Sequence, residues 1–128
     1  MDIRAVGAEF TRREIAPHLQ EWEDAGIFPR ELYRAAAKQD LLGMAFPEEV
    51  GGSGATMLEA LEMQEGMFAA GASSGLMAGL FTSGIALPHI VASGNTDLID
   101  RFVRPTLAGE LIGSLAVTEP GGGSDVAG

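Results

Sequence analysis

The sequence predicts an all-α helical bundle over residues 1–110, joined at residue 111 to the first strand of a separate β-type domain that occupies 111–128. Three observations predict it. Apolar residues recur at helical spacing, in segments bounded by Pro, Gly and hydroxyl-bearing residues. The run Leu111-Ile112-Gly113-Ser114-Leu115-Ala116-Val117 then replaces that spacing with a strand-like apolar string. A chain of 128 residues, 46% of them hydrophobic, is also large enough for one packed core.

Residues 2–25 read as a helix, with Phe10, Ile15, Leu19 and Trp22 near helical spacing. Pro17 is expected to kink or split it, and Gly26 to stop it. Pro29 fits the first position of the next helix and Glu31 suits its N-terminal dipole. That helix is expected to reach about Leu42, bury Leu32, Tyr33, Ala36 and Leu41, and end at Gly43. Residues 44–55, punctuated by Pro47, Gly51, Gly52 and Gly54, are a loop in which Glu48 and Glu49 read as solvated charges.

Thr56-Met57-Leu58-Glu59 has the pattern of a capping box and starts a helix to about Ala70, before a break at residues 71–74. The stretch from Gly75 to Ala92 is almost uncharged and apolar on most sides, which predicts a helix buried on most sides. Its glycines weaken the helix, which is tolerable where they allow close packing or leave room for a ligand. Pro88 is expected to bend its last turn. Thr96 is expected to cap a final helix to about Ala108 that buries Leu98, Ile99, Phe102, Val103 and Leu107, with Pro105 interrupting it and Gly109 closing it.

Composition excludes several function classes. The net charge of −10, from 18 acidic and 8 basic residues, argues against a nucleic-acid backbone or an anionic membrane as partner. With no cysteine there are no disulfides and no Cys-based zinc sites, and the two histidines lie too far apart to suggest a metal site. No run reaches the ~18 consecutive apolar residues of a membrane span. Met1-Asp2-Ile3-Arg4 lacks the basic-then-apolar design of a secretory signal, so a soluble, cytoplasmic protein is expected. Trp22, Tyr33, Met57, Met63, Met67 and Met77 read as core, and Glu21-Glu23-Asp24 as a solvated helix face.

The stretch that carries chemistry is Thr118-Glu119-Pro120-Gly121-Gly122-Gly123-Ser124, followed by Asp125. Three consecutive glycines let a ligand approach the backbone closely, and Gly121 can supply the positive φ of a tight turn after Pro120. Free N–H groups of such a loop can cradle an anion, with the hydroxyls of Thr118 and Ser124 at its mouth and far side. A plain surface turn between two strands accounts for the same residues.

The run from Leu115 to Gly128, Leu-Ala-Val-Thr-Glu-Pro-Gly-Gly-Gly-Ser-Asp-Val-Ala-Gly, resembles the signature stretch of the acyl-CoA dehydrogenase family. In the family's order, Glu14-Ile15-Ala16-Pro17-His18, Phe28-Pro29-Arg30-Glu31-Leu32, Leu41-Leu42-Gly43, the loop from Pro47 to Gly54 and Gly109-Glu110-Leu111-Ile112-Gly113 are similar to its N-terminal helical domain. The resemblance covers nearly the whole chain.

It implies an N-terminal helical domain at 1–110 and, at 111–128, the truncated beginning of a middle β-domain; the family's C-terminal four-helix bundle has no counterpart here. It implies FAD as cofactor and an acyl-CoA thioester as substrate, converted by α,β-dehydrogenation to a trans-2-enoyl-CoA. By position, Leu115, Val117, Thr118, Gly123 and Ser124 match flavin-contacting residues, and Ser124 also matches a serine on the CoA moiety. Leu115 departs from relatives with an aromatic or polar residue there, which leaves a purely backbone contact open. Leu80 and Gly84 match the helix that lines the acyl pocket. No catalytic residue is assigned: the proton-abstracting Glu belongs to the C-terminal domain, and Glu119 to the loop. Electron-transfer flavoprotein as acceptor and a homotetramer or homodimer are further implications. This chain alone is expected to be inactive, with an unpaired edge at 111–118 and exposed apolar helix faces. A flavin oxidase or monooxygenase on the same scaffold, a non-catalytic helical subunit with a complete partner, and an unrelated helical binding module are the alternatives.

Overall fold

The computed structural model describes residues 2–126. Helix α1 (Ile3–Phe10) is capped by Asp2, whose Oδ1 accepts from Arg4 N at 3.1 Å. It widens over Thr11–Ile15 into a π turn, where Ala16 N donates five residues back to Thr11 O at 2.8 Å. Pro17 accounts for the widening. Its ring would collide with the carbonyl of Arg13 in a regular helix, and a wider turn moves that carbonyl aside. The chain resumes as α2 (Leu19–Ala25), so the proline splits the helix as the sequence predicts. Gly26, at φ 68°, ends α2 with Ile27 N donating to Trp22 O and Gly26 N to Glu23 O, both at 3.2 Å.

Helix α3 (Arg30–Ala37) is shorter than expected. Pro29 serves as its N-cap rather than its first residue. Asp40, at φ 58°, is the one non-glycine residue with positive φ among the described residues, and it turns the chain well before Leu42. Leu41 N then donates to Ala36 O at 3.0 Å and Asp40 N to Ala37 O at 2.9 Å. A short polar side chain tolerates this left-handed conformation better than most. The loop that follows contains a 3₁₀ turn, Glu48–Val50, and is tied to itself by Ser53 N to Gly43 O at 3.1 Å and Ala55 N to Met44 O at 2.9 Å.

Helix α4 (Met57–Ala69) starts with the expected capping box: Glu59 N donates to Thr56 Oγ1 at 3.2 Å and Thr56 N to Glu59 Oε2 at 2.7 Å. It crosses α1 at two glycines. A β-carbon on Gly7 would stand 2.0 Å from Met63 O, and one on Gly66 would stand 1.9 Å from Arg4 O. The first methionine departs from expectation: Met57 is 68% exposed, whereas Met63, Met67 and Met77 are buried.

Helices α5 (Ser74–Phe81) and α6 (Ser83–Ser93) form a 20-residue rod with a step at Thr82, whose Oγ1 donates to Ala78 O. By length and composition alone the rod is apolar enough to cross a membrane. Only 28% of its most apolar window is buried, so the expectation of burial on most sides does not hold within this chain. Leu76, Met77 and Leu80 are buried from α5, and Ser83 and Leu87 from α6.

Helix α7 (Thr96–Leu98) is capped by Asn95, not Thr96: Asn95 Oδ1 accepts from Leu98 N at 3.2 Å. A second π turn, Ile99–Val103, leads into α8 (Arg104–Leu107). It precedes Pro105 by the same offset at which the first precedes Pro17. Phe102, expected in the core, is 39% exposed beneath the Arg101 guanidinium, 5.0 Å from its ring centroid. Gly109, at φ 76°, closes α8 as predicted. Residues 111–118, expected as a strand, form none in the described structure. A strand needs a neighbour to complete its ladder, and the described residues offer none.

Two cores result. Phe10, Ile15, Leu32, Met63, Met67 and Leu80 belong to the larger one, built from α1 to α5. Phe46, Val50, Leu87, Ile99, Val103 and Leu107 form the smaller, built from the loop, α6 and the final helices. The α5–α6 rod contributes to both.

Candidate functional site

The signature segment leaves the bundle at Gly109, where positive φ combines with close approach: a β-carbon there would lie 2.7 Å from Tyr33 O. Leu111 N donates to Pro105 O at 3.2 Å, and Arg30 Nη2 reaches Glu110 O at 3.4 Å. Gly113 then rests on Ser83: its β-carbon would stand 3.2 Å from Ser83 Cβ. The segment is thus laid across the rod at the step between α5 and α6.

Beyond Gly113 the side chains are open. Leu115 is 48% exposed and Val117 59%, and Thr118, Gly123 and Ser124 are exposed as well. Glu119 and Gly122 exchange backbone bonds at 2.9 and 3.1 Å, so Pro120 and Gly121 form the corner of a tight turn. Gly121 does not use positive φ there. A β-carbon on Gly121 or Gly123 would meet nothing within 4 Å. Neither backbone conformation nor packing among the described residues calls for glycine at these two positions. An approaching flat ligand would. The residues predicted for a cofactor are therefore all exposed, with Thr118 and Ser124 on either side of the turn in the chain.

A cleft of about 460 Å³ lies where the two cores meet, between α6, α4 and the loop after α3. Met44, Met57, Met63, Phe81, Gly84 and Pro88 are among its walls, and among the described residues no ionisable side chain lines it. The two residues predicted for the acyl chain part company here. Gly84 lines the cleft, whereas Leu80, 1% exposed, packs in the larger core and does not reach it. Sequence reasoning did not single out Phe81 and Pro88 as cleft residues; their spacing around Gly84, three back and four on, was the available signal. A second cleft, about 630 Å³, includes Trp22, Phe28, Tyr33 and Ile112. His18 stacks on Trp22 with ring centroids 5.4 Å apart. Tyr33 stacks on Phe28 at 5.5 Å and donates its hydroxyl to Gly79 O at 3.2 Å; burial pushes its pKa up.

Comparison with known proteins decides what these surfaces belong to. Residues 1–110 match the model of the acyl-CoA dehydrogenase N-terminal domain. The chain belongs to the acyl-CoA dehydrogenase family. Among relatives, the mitochondrial long-chain specific acyl-CoA dehydrogenase of Mus musculus is 37% identical over 121 residues, covering 94% of this chain and 27% of the relative. Benzylmalonyl-CoA dehydrogenase of Aromatoleum aromaticum is also 37% identical, over 125 residues, covering 97% of this chain and 33% of that one. The crystal structure of a probable acyl CoA dehydrogenase from Mycobacterium abscessus superposes with a TM-score of 0.91 at 56% identity, over 96% of this chain and 33% of that one. The chain thus spans about a third of the length of these acyl-CoA dehydrogenases, and its helical fold is that of the family's N-terminal domain.

Proposed function

We propose that the protein carrying these residues is an FAD-dependent acyl-CoA dehydrogenase that converts an acyl-CoA thioester to the trans-2-enoyl-CoA. The observation that carries this is the family match over residues 1–110, joined to an open turn in which Gly121 and Gly123 leave the backbone bare. The residues present fit a flavin. A hydroxyl at Thr118 can bond a polar ring edge, and the exposed faces of Leu115 and Val117 can cover a flat ring. Gly123 and Ser124 could border its far side, and the Ser124 hydroxyl could also bond a polar group of CoA. FAD, when bound, would supply the hydride acceptor.

What this chain contributes is positioning and dryness. The cleft beside Gly84 has apolar walls, so an acyl chain entering it would displace water from the neighbourhood of the reaction. Among the described residues no ionisable group lines the cleft, which supports a base supplied from elsewhere in the protein. This chain by itself would hold neither a complete flavin site nor a turnover-competent centre. From the family resemblance we extend the reading to an electron-transfer flavoprotein as acceptor and a homotetrameric or homodimeric assembly; a cytoplasmic location is proposed apart from it.

The test is anaerobic titration of the purified full-length protein with acyl-CoA thioesters, following the long-wavelength flavin absorbance. Bleaching by at least one of them is expected. A protein that carries no flavin, or one whose flavin no acyl-CoA bleaches, would sink the reading. Bleaching followed by rapid recovery in air would redirect it to the oxidases on this scaffold.

A further inference from the structure

Gly113 is absent from the residues with positive φ, so its own backbone does not call for glycine. Its neighbour does. A β-carbon at 113 would stand 3.2 Å from Ser83 Cβ and 3.4 Å from Ser83 Cα, closer than carbon atoms ordinarily pack. The signature segment is seated on α6 through a contact that a bare Cα makes possible.

The two sides of this contact differ in freedom. Ser83 is 7% exposed, and Leu80 and Leu87 on either side of it are buried, one in the larger core and one in the smaller. The rod cannot shift at Ser83 without disturbing one of them. Residues 111–118 belong to neither core, and Leu115, Val117 and Thr118 are exposed. A methyl group added at 113 would therefore be relieved by lifting the segment, not by moving the rod. Ser83 also lines the cleft between α6, α4 and the loop after α3. One buried residue thus touches both the segment predicted for the cofactor and the cleft.

We infer that Ser83 is a positioning residue: its β-carbon, set against the bare Cα of Gly113, fixes the height and register at which the cofactor segment crosses the rod. This rests on the flavin reading above and adds to it the residue pair that holds the segment at a set distance from the cleft. Groups that react while held on different elements need such a seat, because a displacement on the order of 1 Å can cost a factor of about 100 in rate.

The test uses the full-length protein with Gly113→Ala, Ser83→Gly, Ser83→Ala and the Gly113→Ala/Ser83→Gly pair. Flavin retention on dilution and the melting temperature of the flavin-free protein are measured for each. Gly113→Ala is expected to weaken retention about fivefold, within the range of coupling between residues in contact, and to leave the flavin-free melting temperature unchanged. Ser83→Gly is expected to lower the melting temperature, because glycine weakens a helix, yet to restore most of the retention lost in Gly113→Ala. Ser83→Ala keeps the β-carbon and should retain flavin as wild type does. Rescue of retention by a change that destabilises the helix is a result that a merely structural contact would not give. Equal retention in Gly113→Ala and wild type, or losses that simply add in the pair, overturns the inference and leaves the dehydrogenase reading standing. So does a flavin-free Gly113→Ala protein that melts lower or does not fold, since the contact would then carry the fold. Lost retention in Ser83→Ala also overturns it, by moving the role to the hydroxyl. A wild-type protein that carries no flavin fails the functional reading itself, and the inference with it.

Discussion

Gly66 of α4 lies so close to Arg4 of α1 that a β-carbon at position 66 would stand 1.9 Å from the Arg4 carbonyl oxygen. The same two helices meet side chain to side chain at the surface, where Arg4 Nη2 sits 2.8 Å from Glu65 Oε2. Both partners of that pair are more than half exposed, so it is worth about 0–1 kcal/mol. Backbone contact, not charge, fixes the crossing. Gly66→Ala is expected to force the helices apart and cost about 3 kcal/mol, at or above the usual range for overpacking. Arg4→Ala should cost under about 1 kcal/mol. Urea unfolding of both variants checks the order; equal losses would refute it.

The capping box at the start of α4 ties stability to pH. Hydrogen bonds from the Thr56 backbone N–H and then from its hydroxyl hold the Glu59 carboxyl below its ordinary pKa. A depressed folded-state pKa gives stability that is present above the unfolded pKa of 4.5 and lost as pH falls through the folded value. Glu59→Gln keeps a capping side chain but removes the titration, so the gap between wild type and variant should close on acidification below the ordinary carboxylate range. Melting curves from neutral pH downward follow this. Thr56→Ala, at neutral pH, should cost ~1 kcal/mol.

Tyr33 is a second titrating position, at the opposite end of the scale. Desolvation by burial raises its pKa above 10.0, and the neutral hydroxyl donates to Gly79 O at 3.2 Å. A raised folded-state pKa gives stability that is complete below the unfolded pKa and lost as pH rises through the folded one. Tyr33→Phe is expected to lose about 1 kcal/mol at neutral pH. Above pH 10 the wild type should lose stability faster than the variant, which denaturation at a series of alkaline pH values would reveal.

Thr118 lies two residues before the corner of the Pro120-Gly121 turn, exposed and outside both cores. In the full-length protein Thr118→Val is expected to leave the melting temperature of flavin-free protein unchanged. Flavin retention should weaken about fivefold, the equivalent of one hydrogen bond of ~1 kcal/mol. Fluorescence of flavin released on dilution measures it. Equal retention in variant and wild type would remove Thr118 from the site.

Much of this fold can be read from local chemistry. The capping box, the stops at Gly26 and Gly109, and the burial of Leu32, Tyr33, Ala36 and Leu41 all follow from residues a few positions apart. What local patterns miss depends on partners. Asp40 ends α3 early because an acidic residue accepts a left-handed turn, and no periodicity signals that. The apolar α5–α6 rod implies burial, yet most of its surface stays open because apolar content says nothing about which neighbour covers it. The apolar run at 111–118 has strand composition but lacks a strand to pair with among the described residues. At the candidate site, Gly84 and Leu80 sit on one rod, in α6 and α5, and look equally eligible in sequence; only packing separates the one that faces the cleft from the one inside the core.

The π turns before Pro17 and Pro105 have a consequence for how this chain tolerates insertion and deletion. Each holds one residue more than an α turn would over the same rise, so everything downstream is rotated by about 100°. Deleting one residue from Thr11–Ile15 would restore even winding but swing Leu19 and Trp22 around the axis, away from the core they cover. It would also return the carbonyl four residues before the proline to the path of its ring. The proline and the extra residue therefore form a matched pair, and a single-codon loss at either turn is better tolerated when its proline changes too.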